Sequence, residues 1–199
     1  WELVGLSSYL LISFWSKKTA AAKAGNKAFI LNRVGDFGFL IGLMLILNTF
    51  NTFDFYTILK NASDVPENTI TLITLFLLLG AFGKSAQFPL FSWLPDAMEG
   101  PTPASALIHA ATMVTAGVFM LVRISPILQH SKIAGMVIIS FGLLTALLAA
   151  FSAINQYDIK KVLAYSTISQ LGFMFIAIGA GAYVCLLYTS PSPRDAYVA

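Results

Sequence analysis

The chain is dominated by long stretches with little or no charge, several of them about as long as a bilayer is thick. They run Trp1–Trp15 (with Glu2 inside), Phe37–Phe53, Ile70–Phe91, Thr102–Val122, Ile133–Tyr157 and Val162–Leu187. A helix needs about 20 apolar residues to cross the hydrocarbon layer. Backbone groups in lipid must find partners inside the protein, so only helices and closed barrels span it. A barrel would show short segments of alternating polarity, and none is present. The sequence therefore predicts an all-α, polytopic transmembrane bundle of about six helices. Polar or helix-breaking segments separate them at Ser16–Arg33, Asp54–Thr69, Ser92–Pro101, Arg123–Lys132 and Asn155–Lys161.

Composition closes off other classes. Of the 199 residues, 57% are hydrophobic and 11% charged, against about a quarter charged in an ordinary soluble domain. Disordered chains are polar and charge-rich, so disorder is excluded. The single Cys185 excludes a disulfide framework or a cysteine metal cluster. Two histidines, His109 and His130, are too few for a histidine metal site. The net charge of +3 points to nucleic acid only if position is ignored. Lys17, Lys18, Lys23, Lys27, Arg33, Lys160 and Lys161 fall on one side, against Lys60, Arg123 and Lys132 on the other. The short loop around Asp96 and Glu99 joins the first side. The positive-inside rule turns that side toward the cytoplasm or an organelle matrix. The expected partner of the basic residues is thus the bilayer, and nucleic acid is not a partner.

The two ends differ. Trp1 opens an apolar run with no charged region before it, so this run is not a signal peptide, and the chain is expected to start within a helix. Beyond Leu187 comes Tyr-Thr-Ser-Pro-Ser-Pro-Arg-Asp, whose prolines end any helix. Residues 185–199 are expected to be a non-native tail, with a genuine polar loop as the alternative, leaving 1–184 as one partial transmembrane domain. Small residues predict helix contacts: Gly38 with Gly42, Gly35 on a neighbouring face, and Ala177 with Gly181.

Ionisable residues inside the membrane are the functional candidates, because they are costly there. Lys84 lies fourteen residues beyond Ile70, roughly 20 Å along a helix. Burial disfavours the charged form of a lysine and a nearby carboxylate restores it, which suits a proton relay. The competing reading is a lysine snorkelling to the interface. Gly83 before it and Pro89 after it predict a helix interrupted near Lys84–Pro89, with a plain helix end at Phe91 as the alternative. Ser105, His109 and Thr112, at i, i+4 and i+7, fall on one helical face. That stripe passes protons, or holds a histidine bonded between helices. Glu2, if intramembrane, needs a cationic partner, and Lys84 is the candidate. Asp36 and Arg33, at i and i+3, are expected to pair at the membrane edge. Asp96 and Glu99 read as solvated or capping residues, and Asp158 as the acidic start of the last helix.

Several long strings resemble a known family. Gly83-Lys-Ser-Ala-Gln-Phe-Pro-Leu and Trp93-Leu-Pro-Asp-Ala-Met-Glu-Gly-Pro-Thr-Pro-Ala-Ser-Ala-Leu-Ile-His-Ala-Ala-Thr-Met-Val-Thr-Ala-Gly are similar to the subunit 5 family of respiratory complex I, its antiporter-like membrane subunits. Trp1-Glu-Leu-Val-Gly-Leu-Ser-Ser-Tyr-Leu-Leu-Ile, Asn32-Arg-Val-Gly-Asp-Phe-Gly and Asp158-Ile-Lys-Lys-Val-Leu-Ala-Tyr-Ser-Thr-Ile-Ser-Gln-Leu-Gly follow in family order. The resemblance covers about Trp1 to Tyr183. It implies proton translocation driven by electron transfer from NADH to ubiquinone. Lys84, Glu2 and His109 match the family's translocating residues, and Asp36 its acidic residue near the glutamate helix. It also implies that this chain holds no cofactor, with NADH, FMN, iron–sulfur clusters and ubiquinone served elsewhere in the complex. Its partners are then the other membrane and peripheral subunits, in the mitochondrial inner membrane or a bacterial plasma membrane. The large subunit of multisubunit sodium/proton antiporters and the plastid ferredoxin–plastoquinone subunit share the pattern. Trp93-Leu-Pro-Asp favours complex I over the antiporter. A purely structural bundle is the reading from a different class.

Overall fold

The structure, a computed structural model, describes residues 1–183. Its helices are α1 (Glu2–Ile12), α2 (Thr19–Phe50), α3 (Phe55–Lys60), α4 (Glu67–Lys84), α5 (Thr102–Ala106), α6 (Met113–Arg123), α7 (Ser125–Gln129), α8 (Lys132–Ile154) and α9 (Ile159–Gly179). A π-turn at Leu107–Ala111 joins α5 to α6. Among the described residues, five spans are long and apolar enough to cross a membrane, one of them formed by α5, the π-turn and α6 together. The shorter apolar α1 completes the expected six. The tail expected to be non-native lies outside the described residues.

One boundary is corrected. The segment expected as a Ser16–Arg33 loop is a short turn followed by helix from Thr19, and α2 runs on for 32 residues. The lysines obscured this, although Thr19-Ala-Ala-Ala-Lys-Ala is rich in the best helix former. At 1.5 Å per residue, α2 is about 48 Å long, and Asp36 sits near its middle rather than at a membrane edge.

The basic ends do lie together. Lys27 Nζ is 2.6 Å from Asp96 Oδ2, and Lys160 Nζ donates to Thr102 Oγ1 at 3.2 Å. The start of α2, the Asp96–Glu99 turn, the start of α5 and the start of α9 therefore share one end of the bundle. At the other end Asp54 caps α3, accepting from Thr57 N and the Thr57 hydroxyl.

Glycines set how closely the helices approach. A Cβ on Gly38 would lie 2.5 Å from Leu79, and one on Gly42 would lie 3.0 Å from Leu77. Gly35 does not serve a separate face: its added Cβ would be 3.0 Å from the Gly83 Cα. The backbones of α2 and α4 meet there, beside Asp36 on one helix and Lys84 on the other. Among the described residues the expected Ala177–Gly181 spacing makes no helix contact: Gly181 lies beyond α9 at φ +72 with no described atom near its Cβ position. The α8–α9 contact instead uses Gly142 against Gly172 and Gly135 against Gly179. Overpacking a tight contact costs about 1–3 kcal/mol. Gly83→Ala in the full-length subunit is thus expected to lower the yield and dissociation temperature of the assembled complex. Unchanged values would mean that α2 and α4 have slack at this point.

The α4 helix stops at Lys84, short of Phe91, and the next α-helix begins only at Thr102. Ala86 takes φ 47, a left-handed conformation costing about 1–2 kcal/mol outside glycine. The chain then passes through the short turns Leu90–Trp93 and Asp96–Glu99, with Pro89 at the start of the first. Backbone groups freed inside a membrane must be covered by protein, and here they are. The Gly83 carbonyl accepts from Trp93 Nε1 at 3.1 Å. Phe88 N donates to Thr145 Oγ1 at 3.0 Å. The Ser85 carbonyl accepts from Gln87 Nε2 at 3.0 Å, and Ser85 Oγ donates to the Val114 carbonyl at 2.7 Å.

Candidate functional site

The helix break ends on a buried ion pair. Lys84 is 1% exposed, and its Nζ lies 3.1 Å from Asp36 Oδ1 and donates to Oδ2 at 3.2 Å. The backbone contact at Gly35 and Gly83 allows a side chain as short as aspartate to reach it. Helix α1 covers the pair: a Cβ on Gly5 would lie 2.9 Å from Lys84 Nζ, and the Trp1 ring centroid lies 5.8 Å away. A snorkelling lysine would run to the interface; this one turns to a carboxylate inside the bundle.

The expected pairing is exchanged. Glu2 does not touch Lys84; its Oε2 lies 2.9 Å from Arg33 Nη1. Asp36 pairs with Lys84 and not with Arg33. The reason is the continuous α2, which carries Arg33 and Asp36 one turn apart and directs them to different neighbours. Four charges of alternating sign, Glu2, Arg33, Asp36 and Lys84, thus run from a half-exposed pair to a buried one. Taking two charges from water costs several kcal/mol per ion, recovered only when the pair is well made.

His109 occupies the π-turn, and such turns are often found at functional sites. Neither of its ring nitrogens has a hydrogen-bond partner among the described residues, and the same holds for Ser105 Oγ. The reading of a histidine satisfied between helices is therefore not what the structure shows. The expected three-residue stripe is also corrected. Ser105 and His109 are both buried, but Thr112 is exposed and donates to the Leu107 carbonyl at 3.1 Å. The wider π-turn shifts the helical phase before Thr112 and carries it off the shared face. Among the described residues, no group of three or more His, Cys, Asp or Glu is placed to hold a metal ion.

This geometry has relatives. Residues 1–189 match the family described as NADH:quinone oxidoreductase/Mrp antiporter, TM. The chain belongs to that family. NADH-ubiquinone oxidoreductase chain 5 of Metridium senile is 54% identical over 94% of this chain and 31% of its own length. NADH-quinone oxidoreductase subunit L of Neisseria meningitidis is 52% identical over 94% of this chain and 30% of its own. The chain thus spans under a third of these curated relatives. A chain in the structure of the Mrp complex from Dietzia sp. superposes with a TM-score of 0.90 at 34% identity, covering 96% of this chain and 21% of that one.

Within this family fold, the residues that reading the sequence missed are those that act through backbone. Gly5 admits the ion pair and Trp93 caps the broken helix, while Gly35, read as a helix-contact glycine, has Gly83 as its unforeseen opposite. A glycine before an intramembrane lysine was visible, but its opposite glycine is 48 positions away in sequence, and no periodicity joins them. The π-turn at His109 left no signal, since Ala-Leu-Ile-His-Ala-Ala reads as an uninterrupted helix.

Proposed function

We propose that this chain is part of the proton-translocating membrane subunit of an NADH:quinone oxidoreductase, in which electron transfer from NADH to ubiquinone drives pumping. The observation that carries the reading is the Lys84–Asp36 pair, 1% and 3% exposed, at the end of an interrupted helix. A bundle built only for support has no need of two charges at that depth, which are expensive in a membrane. The identities above 50% to oxidoreductase subunits support the complex I reading over the antiporter alternative. Lys84 is the proton carrier, Asp36 its resting partner, and Glu2 with Arg33 the pair that competes for these charges. Two pairings are available: Glu2–Arg33 with Asp36–Lys84, as seen, or Arg33–Asp36 with Lys84 left without a carboxylate. An opposite charge favours the charged lysine, and burial without one favours the neutral form. Exchange of partners would therefore load and release a proton with no redox group in this chain. Electron transfer belongs to other subunits of the complex, in the mitochondrial inner membrane or a bacterial plasma membrane. The basic ends of α2 and α9 face the matrix or cytoplasm.

The 34% likeness to the Mrp chain keeps cation exchange as the second reading. The experiment is NADH-driven pH change by the complex containing the full-length subunit, reconstituted in liposomes with sodium or with choline as the only added cation. Equal proton uptake in both is expected. Uptake that fails without sodium would contradict a proton pump.

A further inference from the structure

Both cations among the four charges have a second partner besides a carboxylate. The Arg33 guanidinium carbon lies 4.8 Å from the ring centroid of Phe29, and Lys84 Nζ lies 5.8 Å from that of Trp1. The face of an aromatic ring attracts a cation within about 6 Å, most strongly for tryptophan and away from water. Phe29 is one turn before Arg33 on the same helix and shares its half-exposed surroundings. Trp1, the N-cap residue of α1, reaches Lys84 from another helix, where the lysine is buried.

Packing holds the ring in place. Trp1 stacks on Phe39 of α2, with centroids 4.8 Å apart and planes 15° from parallel. Phe39 in turn fits the space left by Gly80, one turn before Lys84 on α4, where an added Cβ would lie 2.8 Å from Phe39 Cβ. Gly5, one turn after Trp1, lets α1 close over the ammonium, its own added Cβ falling 2.9 Å from Nζ. Helix α1 thus brings two residues of one face, Trp1 and Gly5, against the same cation. The Trp1 Nε1 hydrogen is buried without an acceptor among the described residues, although a buried indole usually finds one. Stacking, not a hydrogen bond, therefore sets how the ring lies beside Lys84.

We infer that Trp1 is a positioning residue for the Lys84 cation, its ring holding the ammonium beneath Gly5 while Asp36 turns to Arg33. The inference rests on the proton-pump reading and names the group that receives the lysine when it has no carboxylate. A charged lysine without a partner is costly inside a membrane. A ring face lessens that cost without bringing a charge or a proton of its own. The lysine is thereby kept in register for the return of Asp36.

The test uses the full-length subunit in its complex, reconstituted in liposomes. Trp1→Phe keeps a smaller ring face, and Trp1→Leu keeps an apolar side chain without one. Protons pumped per NADH are expected to fall at least about threefold in Trp1→Leu and to be partly restored in Trp1→Phe, with electron transfer retained in both. Phe55→Leu is the control. It removes a ring 5.1 Å from Arg123, away from the four charges, and is expected to leave the ratio unchanged. The dissociation temperature of the complex gives a second readout. Trp1→Leu is expected to lower it more in the otherwise unaltered subunit than in one carrying Lys84→Met with Asp36→Leu, because neighbours that interact are not additive. Equal shifts in both backgrounds would reduce Trp1 to packing and overturn the inference. Undiminished pumping by Trp1→Leu, or equal losses in Trp1→Leu and Trp1→Phe or in Trp1→Leu and Phe55→Leu, would overturn it as well. Normal pumping by Lys84→Ala would defeat the lysine relay, while the temperature comparison would still report whether the ring holds the cation.

Discussion

Lys84→Ala in the full-length subunit is expected to reduce proton pumping per NADH by at least about tenfold, since a positioned proton-transfer group contributes on the order of 100-fold or more. The substitution removes the ammonium and leaves Asp36 alone in a site closed by Gly5, Gly35 and Gly83. Breaking one side of a buried pair costs about 3–5 kcal/mol, so lost assembly could imitate lost function. Two further variants separate the effects. Lys84→Arg keeps the charge, but arginine does not deprotonate in proteins, so the complex assembles yet pumps poorly. Lys84→Met with Asp36→Leu replaces both charges by apolar groups, a change that is often neutral or stabilising for a buried pair. The double variant is expected to assemble at least as well as the single one and to pump no better. Recovery of pumping in the double variant would reduce the pair to a structural element.

Much of this site could be read from the residues, and its wiring could not. A lysine fourteen residues into an apolar run, with Gly83 before it and Pro89 after it, marked the broken helix. The structure ends α4 at that lysine. Arg33 and Asp36 looked like a pair because helix neighbours at i and i+3 can touch. That rule gives who can meet along one helix, not who stands opposite. The opposite neighbours depend on how closely α2 and α4 approach, which Gly35 and Gly83 set from distant parts of the chain. The lysine-rich start of α2 misled in a different way. The charges between Lys17 and Arg33 read as a loop, while the alanines between the lysines favour helix. At His109 the failure was one of phase. One wider turn moves Thr112 off the stripe, and the spacing alone cannot show where a helix widens.

The partner exchange is what distinguishes a relay from a static pair, and Glu2 tests it most directly. In the resting arrangement Glu2 touches Arg33 and not Lys84. A static Lys84–Asp36 pair would scarcely notice Glu2→Gln, because surface ion pairs contribute about 0–1 kcal/mol. Under exchange, Glu2 is the alternative anchor, and its charge determines whether Arg33 can leave for Asp36 and release Lys84. Losing that charge frees Arg33 to hold Asp36 permanently and leaves Lys84 without any carboxylate. Glu2→Asp keeps the charge on a shorter arm and is expected to be the milder change. The measurement is the number of protons pumped per NADH by the reconstituted complex carrying Glu2→Gln, with assembly and electron transfer verified on the same sample. A severalfold fall in that ratio, partly restored in Glu2→Asp, is the predicted result. A ratio equal to that of the unaltered complex would contradict the exchange and leave Lys84 and Asp36 as a fixed pair.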